Sequence, residues 1–306
     1  MDERLQSQQE GGGPILITGG TGFVGSAIRK ALRAKPLRLL VRSRANLPQL
    51  PPHVDVVEGD VTEAGTLEGA AQGCSSVIHL VAIIEEQGDA TFDRVIRLGT
   101  ENIVAEAKRA GVSRFIHMSA LGAQDDARYA YMQAKWRAEQ AVIQSGLDYT
   151  IFRPSVVFGP GDGFINALAG VIKQFPVIPV VGSGKSKFQP VAIEQVAAAF
   201  ARAVDDPSTS KQLFELGGAK TYTYEEMLDI IAKQLGKQKR KIHVPVGLMK
   251  PVVQLSKPLP AALRPPVTIE QLNMLALDNC TDDSATERLI GAPPLALEDG
   301  IGYVNA

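Results

Sequence analysis

Tyr131 and Lys135 stand four residues apart in Tyr131-Met132-Gln133-Ala134-Lys135, a spacing that puts both side chains on one face of a helix. A nearby ammonium favours the phenolate and lowers the tyrosine pKa. Such a tyrosine can pass a proton to or from a carbonyl oxygen while hydride moves at carbon. Ser119, at the end of an apolar run upstream, can hydrogen-bond the same oxygen. Tyr129 is a weaker candidate, because the residue four positions on is Gln133.

A second constellation opens the chain. Ile15-Leu16-Ile17-Thr18 leads into Gly19-Gly20-Thr21-Gly22-Phe23-Val24-Gly25. Of the glycines at 19, 22 and 25, one permits a tight turn, one lets the backbone approach a pyrophosphate and one lets helix pack on strand. The N–H groups of the following helix then face the phosphates. Thr18, Gly19, Gly22, Phe23, Val24 and Gly25 are therefore expected to hold a dinucleotide. The end of the next strand selects which one. An acid there would hold the ribose hydroxyls of NAD, but the chain reads Val41-Arg42-Ser43-Arg44. Arg42 can pair with a 2′-phosphate, and Ser43 and Arg44 can add hydrogen bonds. The expected cofactor is NADP(H), with NAD(H) the weaker fit. Asp60 after the third strand can accept from the adenine amino group, with Val61 on the ring. Leu80, Val81 and Ala82 after the fourth should run beside the central ribose and phosphates. His79, inside an apolar run, is read as structural.

These residues need a scaffold that delivers them to one edge. Short apolar runs at Ile15–Thr18, Leu37–Val41, Val54–Val57, Ser76–Val81, Arg114–Met118 and Tyr149–Phe152 alternate with helical patterns at 22–34, 63–72, 90–110 and 128–145. Gly111 and Gly146 close the last two. Nearly all-apolar strands alternating with helices predict a parallel sheet buried on both faces. The expected fold is α/β: a Rossmann-type doubly wound parallel sheet with ligands at the strands' carboxyl ends. Beyond Gly159 the texture changes to loops broken by Pro and Gly, with a capping box at Thr223 and Glu226. The expected division is a flexible lead-in over 1–13 hinged at Gly11–Gly13, a nucleotide-binding domain over 14–158 and a smaller C-terminal substrate or partner lobe over 159–306.

Composition narrows the function. The chain has 306 residues, 45% hydrophobic and 21% charged, which suits a globular protein with a sizeable core. Lys and Arg number 32 against 33 Asp and Glu, a net charge of −1, so whole-chain charge offers nothing to nucleic acid. Cys74 and Cys280 are far apart and show no metal-ligand spacing, so no metal and no disulfide are expected. No apolar run is long enough to span a bilayer. The acidic, polar start MDERLQSQQE lacks the pattern of a secretory signal. A cytoplasmic protein is expected, with peripheral contact at the inner face of a membrane as the alternative. Two segments bear on that alternative. Lys237-Gln238-Lys239-Arg240-Lys241 is read first as a solvated loop and second as a contact for an anionic membrane or partner. The proline-rich apolar stretch 244–263 is read first as core of the small lobe and second as a membrane-surface or partner helix. Residues 182–187 resemble a phosphate loop only superficially, and the sequence leaves the oligomeric state open.

The motifs together resemble the short-chain dehydrogenases/reductases of the extended or atypical kind, related to the epimerase/dehydratase family. The resemblance runs from residue 14 to about 300, through TGGTGFVG at 18–25, GDV at 59–61, HLVA at 79–82, SALGA at 119–123, YMQAK at 131–135 and RPSVVFGPGD at 153–162. Within that superfamily the chain is most similar to the branch holding the NADPH-binding accessory subunit of mitochondrial complex I and its bacterial relatives. FDRVIRLGT at 92–100 and KFQPVAIEQVA at 187–197 add to that likeness. The resemblance implies Tyr131 as proton donor, Lys135 as ribose clamp and Ser119 as carbonyl polariser. It also places Pro154, Ser155 and Val156 near the nicotinamide end. Two positions depart from the family: Ile96 stands where Asn or His is frequent, and Ala120 where a second serine is frequent. The implied functions are an oxidoreductase or epimerase on a small carbonyl, sugar or quinone-like substrate, a non-catalytic NADPH-binding accessory subunit in a protein assembly, or a regulatory NADP(H) sensor.

Overall fold

A computed structural model describes residues 12–45, 47, 49–256, 268–275 and 277–305. The expected lead-in at 1–11 lies outside the described residues. The order begins β1 (Ile15–Thr18), α1 (Phe23–Ala31), β2 (Leu37–Val41), β3 (Val54–Glu58), β4 (Ser76–His79), α2 (Gly99–Arg109), β5 (Arg114–Met118), α3 (Ala130–Ile143) and β6 (Asp148–Pro154). It continues β7 (Val157–Phe158), α4 (Phe164–Gln174), β8 (Ile178–Val181), β9 (Lys187–Phe188), β10 (Val191–Ala192), α5 (Ile193–Asp205), β11 (Gln212–Leu216) and β12 (Tyr222–Thr223). The last elements are α6 (Tyr224–Gln234), β13 (Lys241–Val244), α7 (Val246–Ser256), α8 (Ile269–Met274), α9 (Thr286–Ile290) and α10 (Leu297–Gly300).

Seven strands form one sheet in the order β11-β6-β5-β4-β1-β2-β3, and every pair from β3 through β6 is parallel. This is the doubly wound Rossmann order, with the direction of winding reversing between β1 and β4. The strands are short and apolar because helices cover both faces. Leu16, Leu40, Val77, Phe115 and Ile151 form one core cluster with α2 residues Ile103 and Val104.

Two expected helices differ. Residues 63–72 hold only a 3₁₀ turn, Ala64–Leu67. Gly65 lies inside it and Gly69 takes φ +84°, a conformation that ends any helix of L-residues. The 90–110 pattern begins with a π-helical turn, Asp93–Leu98, and becomes α-helical at Gly99. A Cβ at Gly99 would come within 2.9 Å of a Val61 methyl, so the glycine lets this helix press onto the loop after β3.

The chain clusters into two compact units. One comprises the described residues of Met1–Ser119 with Ala134–Phe152 and Ala197–Phe214; the other comprises Ala120–Gln133, Arg153–Val196 and Glu215–Ala306. The second unit has its own core, built on Phe158, Ile165, Ile172, Met227, Leu228 and Leu297. The Thr223 capping box is present in full: its hydroxyl accepts from Glu226 N–H, and the Glu226 carboxylate accepts from Thr223 N–H. Residues 237–240 of the basic run form part of the loop between α6 and β13, while Lys241 opens β13 itself. In the apolar stretch, α7 buries Val253 but leaves Leu248, Val252 and Leu255 exposed, so core packing accounts for only part of it. Residues 257–267 lie outside the described residues. Among the described residues, no helix is long and apolar enough to cross a membrane.

Candidate nucleotide-binding and catalytic site

The loop after β1 takes its shape from its glycines. Gly19 has φ +71°, and a Cβ there would sit 3.3 Å from the backbone of Leu80 and Val81. A Cβ at Gly25 would lie 2.3 Å from Gly19 O and 2.6 Å from Gly20 Cα. Side chains are thus excluded where strand, helix and the segment after β4 converge. Gly22 caps α1 with no side-chain hydrogen bond, and no acid lies in the helix's first turn. Its leading N–H groups are left for an anion. The cradle therefore fits a pyrophosphate. Arg29 braces it by donating from Nε to Gly20 O at 2.7 Å. Phe23 and Val24 are half-buried on the first turn, and Thr18 is fully buried.

Past β2 the three predicted residues have different surroundings. Arg42 is exposed and makes no ion pair among the described residues. Arg44 is engaged: its guanidinium donates to Val56 O and pairs with Glu58, whose carboxylate also accepts Arg44 N–H. The Ser43 hydroxyl accepts from Ala45 N–H. Asp60 uses one carboxylate oxygen on Thr62 N–H and Oγ1. Val61 is buried in the core beneath Gly99. Leu80 N–H donates to Thr18 O, while Val81 is half-buried and Ala82 exposed.

Thr18, His79 and His117 align across β1, β4 and β5 by strand register, so all three point to one sheet face. Thr100 Oγ1 donates to Ile96 O, so it accepts from His79 Nε2–H at 3.1 Å; His79 Nδ1 then accepts from Thr18 Oγ1 at 2.6 Å. Burial, with Lys135 adding repulsion, pushes His79 down to about 3. The imidazole is neutral and structural, as the sequence suggests. His117 stacks on it with ring centroids 5.5 Å apart, and burial also holds it well below the usual histidine range. Among the described residues, neither His117 ring nitrogen nor Ser119 Oγ has a hydrogen-bond partner, although all are buried. Polar groups left in this state mark a place for water or ligand.

Lys135 is buried and donates from Nζ to Met118 O at 2.9 Å. Burial lowers it to about 8 against the opposing pull of buried Glu139. Tyr131 lies one turn earlier on α3, with its N–H donating to Glu270 Oε1 at 3.0 Å. The lowering of Tyr131 expected from its lysine does not occur: burial raises the phenol to about 12. Desolvation penalises the phenolate, and this term decides the direction.

The segment of Pro154, Ser155 and Val156 is held by a residue that no sequence signal singled out. Asn279 Oδ1 accepts from Ser155 Oγ at 2.7 Å and from Val156 N–H at 3.0 Å, and its Nδ2 donates to Leu121 O. Leu121 N–H in turn donates to Pro154 O. Asn279 sits in irregular chain far downstream, where periodicity says nothing. Glu270 on α8 and His117 on β5 lie in regular elements, but what each faces, Tyr131 N–H and the His79 ring, is distant in sequence and so gives no local signal. At the opposite, amino-terminal ends of the strands lies a cavity of about 660 Å³ lined by Gly12, Lys35, Ser76 and Arg114 among others. The Arg114 guanidinium there is taken up by Asp148, Thr150, Thr209 and Ala203 O.

A Rossmann sheet with this glycine loop defines a dinucleotide-binding protein. A family model described as NAD(P)H-binding matches residues 19–207, and the chain belongs to that family, within the short-chain dehydrogenases/reductases of the extended or atypical kind. It is 27% identical over 286 residues to NADH dehydrogenase [ubiquinone] 1 alpha subcomplex subunit 9, mitochondrial, of Arabidopsis thaliana, covering 88% of this chain and 71% of that one. It is 31% identical over 238 residues to the ceramide reductase of Caulobacter vibrioides, covering 76% and 74%. It spans 65% of the NADH-ubiquinone oxidoreductase 40 kDa subunit of Neurospora crassa. Among solved structures, a nucleoside-diphosphate-sugar epimerase from Staphylococcus aureus superposes with a TM-score of 0.76 at 18% identity, covering 96% of this chain and all of that one. An NADPH-dependent quinone oxidoreductase from Escherichia coli gives 0.75 at 22%, covering 95% and 100%. At these identities the structural likeness is one of fold.

Proposed function

We propose that the protein is an NADP(H)-dependent oxidoreductase that reduces a small carbonyl or quinone-like compound, with Ser119, Tyr131 and Lys135 as its catalytic residues. The observation that carries this reading is the buried polar cluster at the carboxyl end of β5. There a serine hydroxyl with no partner among the described residues and a buried lysine of lowered pKa accompany a glycine cradle suited to a pyrophosphate. Buried groups in that state are characteristic of sites that act on a ligand. Bound NADPH supplies the hydride. Arg42 holds the 2′-phosphate, and the uncapped start of α1 holds the pyrophosphate. Ser119 donates its hydroxyl hydrogen to the substrate oxygen and orients it. Tyr131, a phenol protonated at neutral pH and made still harder to ionise by burial, gives its proton to that oxygen, which suits the reductive direction. Lys135 clamps the ribose. Substrate choice belongs to residues 159–306.

The test is NADPH oxidation against a panel of aldehydes, ketones and quinones. Turnover should appear and should fall about 100-fold or more in Tyr131→Phe. Unchanged turnover in that variant removes Tyr131 from the mechanism.

A second reading is favoured by Ile96, a buried apolar residue in the helix where the family often has a polar one. It makes the protein a non-catalytic NADPH-holding subunit of a larger assembly, as the names of the mitochondrial relatives suggest. That reading predicts no turnover across the panel and very slow nucleotide exchange.

A further inference from the structure

We propose that α7 and the loop before β13 form a docking surface for an anionic lipid bilayer. The proposal is independent of the catalytic reading. Leu248, Val252 and Leu255 are 63%, 51% and 77% exposed and recur at i, i+4 and i+7, which is one face of α7. Ile242 on β13 is another exposed aliphatic, 51% accessible. Isolated exposed aliphatics are ordinary on a protein surface, but a stripe along one helix is not.

Charge selects the occupant. From Ile230 to Ile269 the sequence has no Asp or Glu and eight Lys or Arg, in a chain whose net charge is −1. Lys241 is spent on Glu225 and Asp229, each at 2.8 Å, which neutralises the acids of α6 nearest β13. Lys239 is tied to the carbonyls of Ile172 and Phe175. Lys233, Lys237, Arg240 and Lys250 remain exposed. An apolar helix face within a cationic segment matches the interface of an anionic membrane, where acyl chains take the aliphatics and headgroups take the cations. A second copy would bring two cationic surfaces together, which disfavours self-association through this face.

The test is flotation of the full chain with vesicles of phosphatidylcholine alone, or with about 30% phosphatidylglycerol added. The protein should float with the anionic vesicles and stay behind with the neutral ones. The surface variant Leu248→Asp/Val252→Asp/Leu255→Asp should bind anionic vesicles at least about tenfold more weakly. Its NADPH affinity should be unchanged, which shows that the chain still folds. If that variant does not fold, Lys237→Gln/Arg240→Gln/Lys250→Gln reads the same loss through charge. Failure to float with anionic vesicles would overturn the proposal. So would equal binding by a folded variant, or closure of this face into a dimer that the aspartate variant dissolves.

Discussion

Arg42 and Arg44 look equivalent in sequence and differ in the structure. Arg44 is held by Glu58 and Val56 O, while Arg42 is exposed and makes no ion pair among the described residues. Arg42→Ala should therefore weaken NADPH by about 10- to 100-fold and leave NADH nearly unchanged, as read by calorimetric titration. Arg44→Ala should act mainly on the β2–β3 edge. The buried row makes a pH prediction. His79 has a folded pKa of about 3 against an ordinary value of 6.5, so the unfolded chain takes up protons first as pH falls. Stability is then full above pH 6.5 and is lost toward pH 3, by at most about 5 kcal/mol from this group. His79→Gln should flatten that acid limb in chemical denaturation. Lys135, lowered to about 8, is a buried ammonium at neutral pH, and its stability penalty fades as pH rises from 8 toward the ordinary lysine range. Lys135→Met should raise the melting temperature at pH 7 while abolishing turnover. The pairing of Tyr131 with Lys135 on one helix was legible from spacing alone. The direction of the tyrosine's shift was not, because burial depends on elements far away in the chain.

At the scale of elements, the glycine loop is the most constrained part. Gly25→Ala would drive a methyl into the backbone of Gly19 and Gly20, which cannot rotate away. It should cost about 1–3 kcal/mol and reduce NADPH binding severely, checked by thermal melts and titration. Thr223→Ala removes one half of a complete capping box and should cost about 1 kcal/mol with no effect on the nucleotide. The strands were legible because buried parallel strands are nearly continuous apolar runs: β1, β2 and β5 begin and end where the apolar runs do. Residues 63–72 misled because Leu67, Ala70 and Ala71 sit at helical spacing and are indeed buried, but in turns between glycines. The hold of Asn279 on Ser155 and Val156 had no sequence signal, since it joins irregular segments more than a hundred positions apart.

The whole molecule is a chain that passes repeatedly between two compact units, each with its own core. Composition and alternation give the sheet but cannot give that interleaving, which depends on contacts distant in sequence. The central claim concerns the nucleotide proposed for the glycine loop. It is tested most directly by titrating the purified protein with NADPH and NADH side by side at equilibrium. The account predicts that NADPH binds at least about tenfold more tightly, the surplus coming from Arg42 and the 2′-phosphate. NADH binding as tightly as NADPH, or more so, would contradict it.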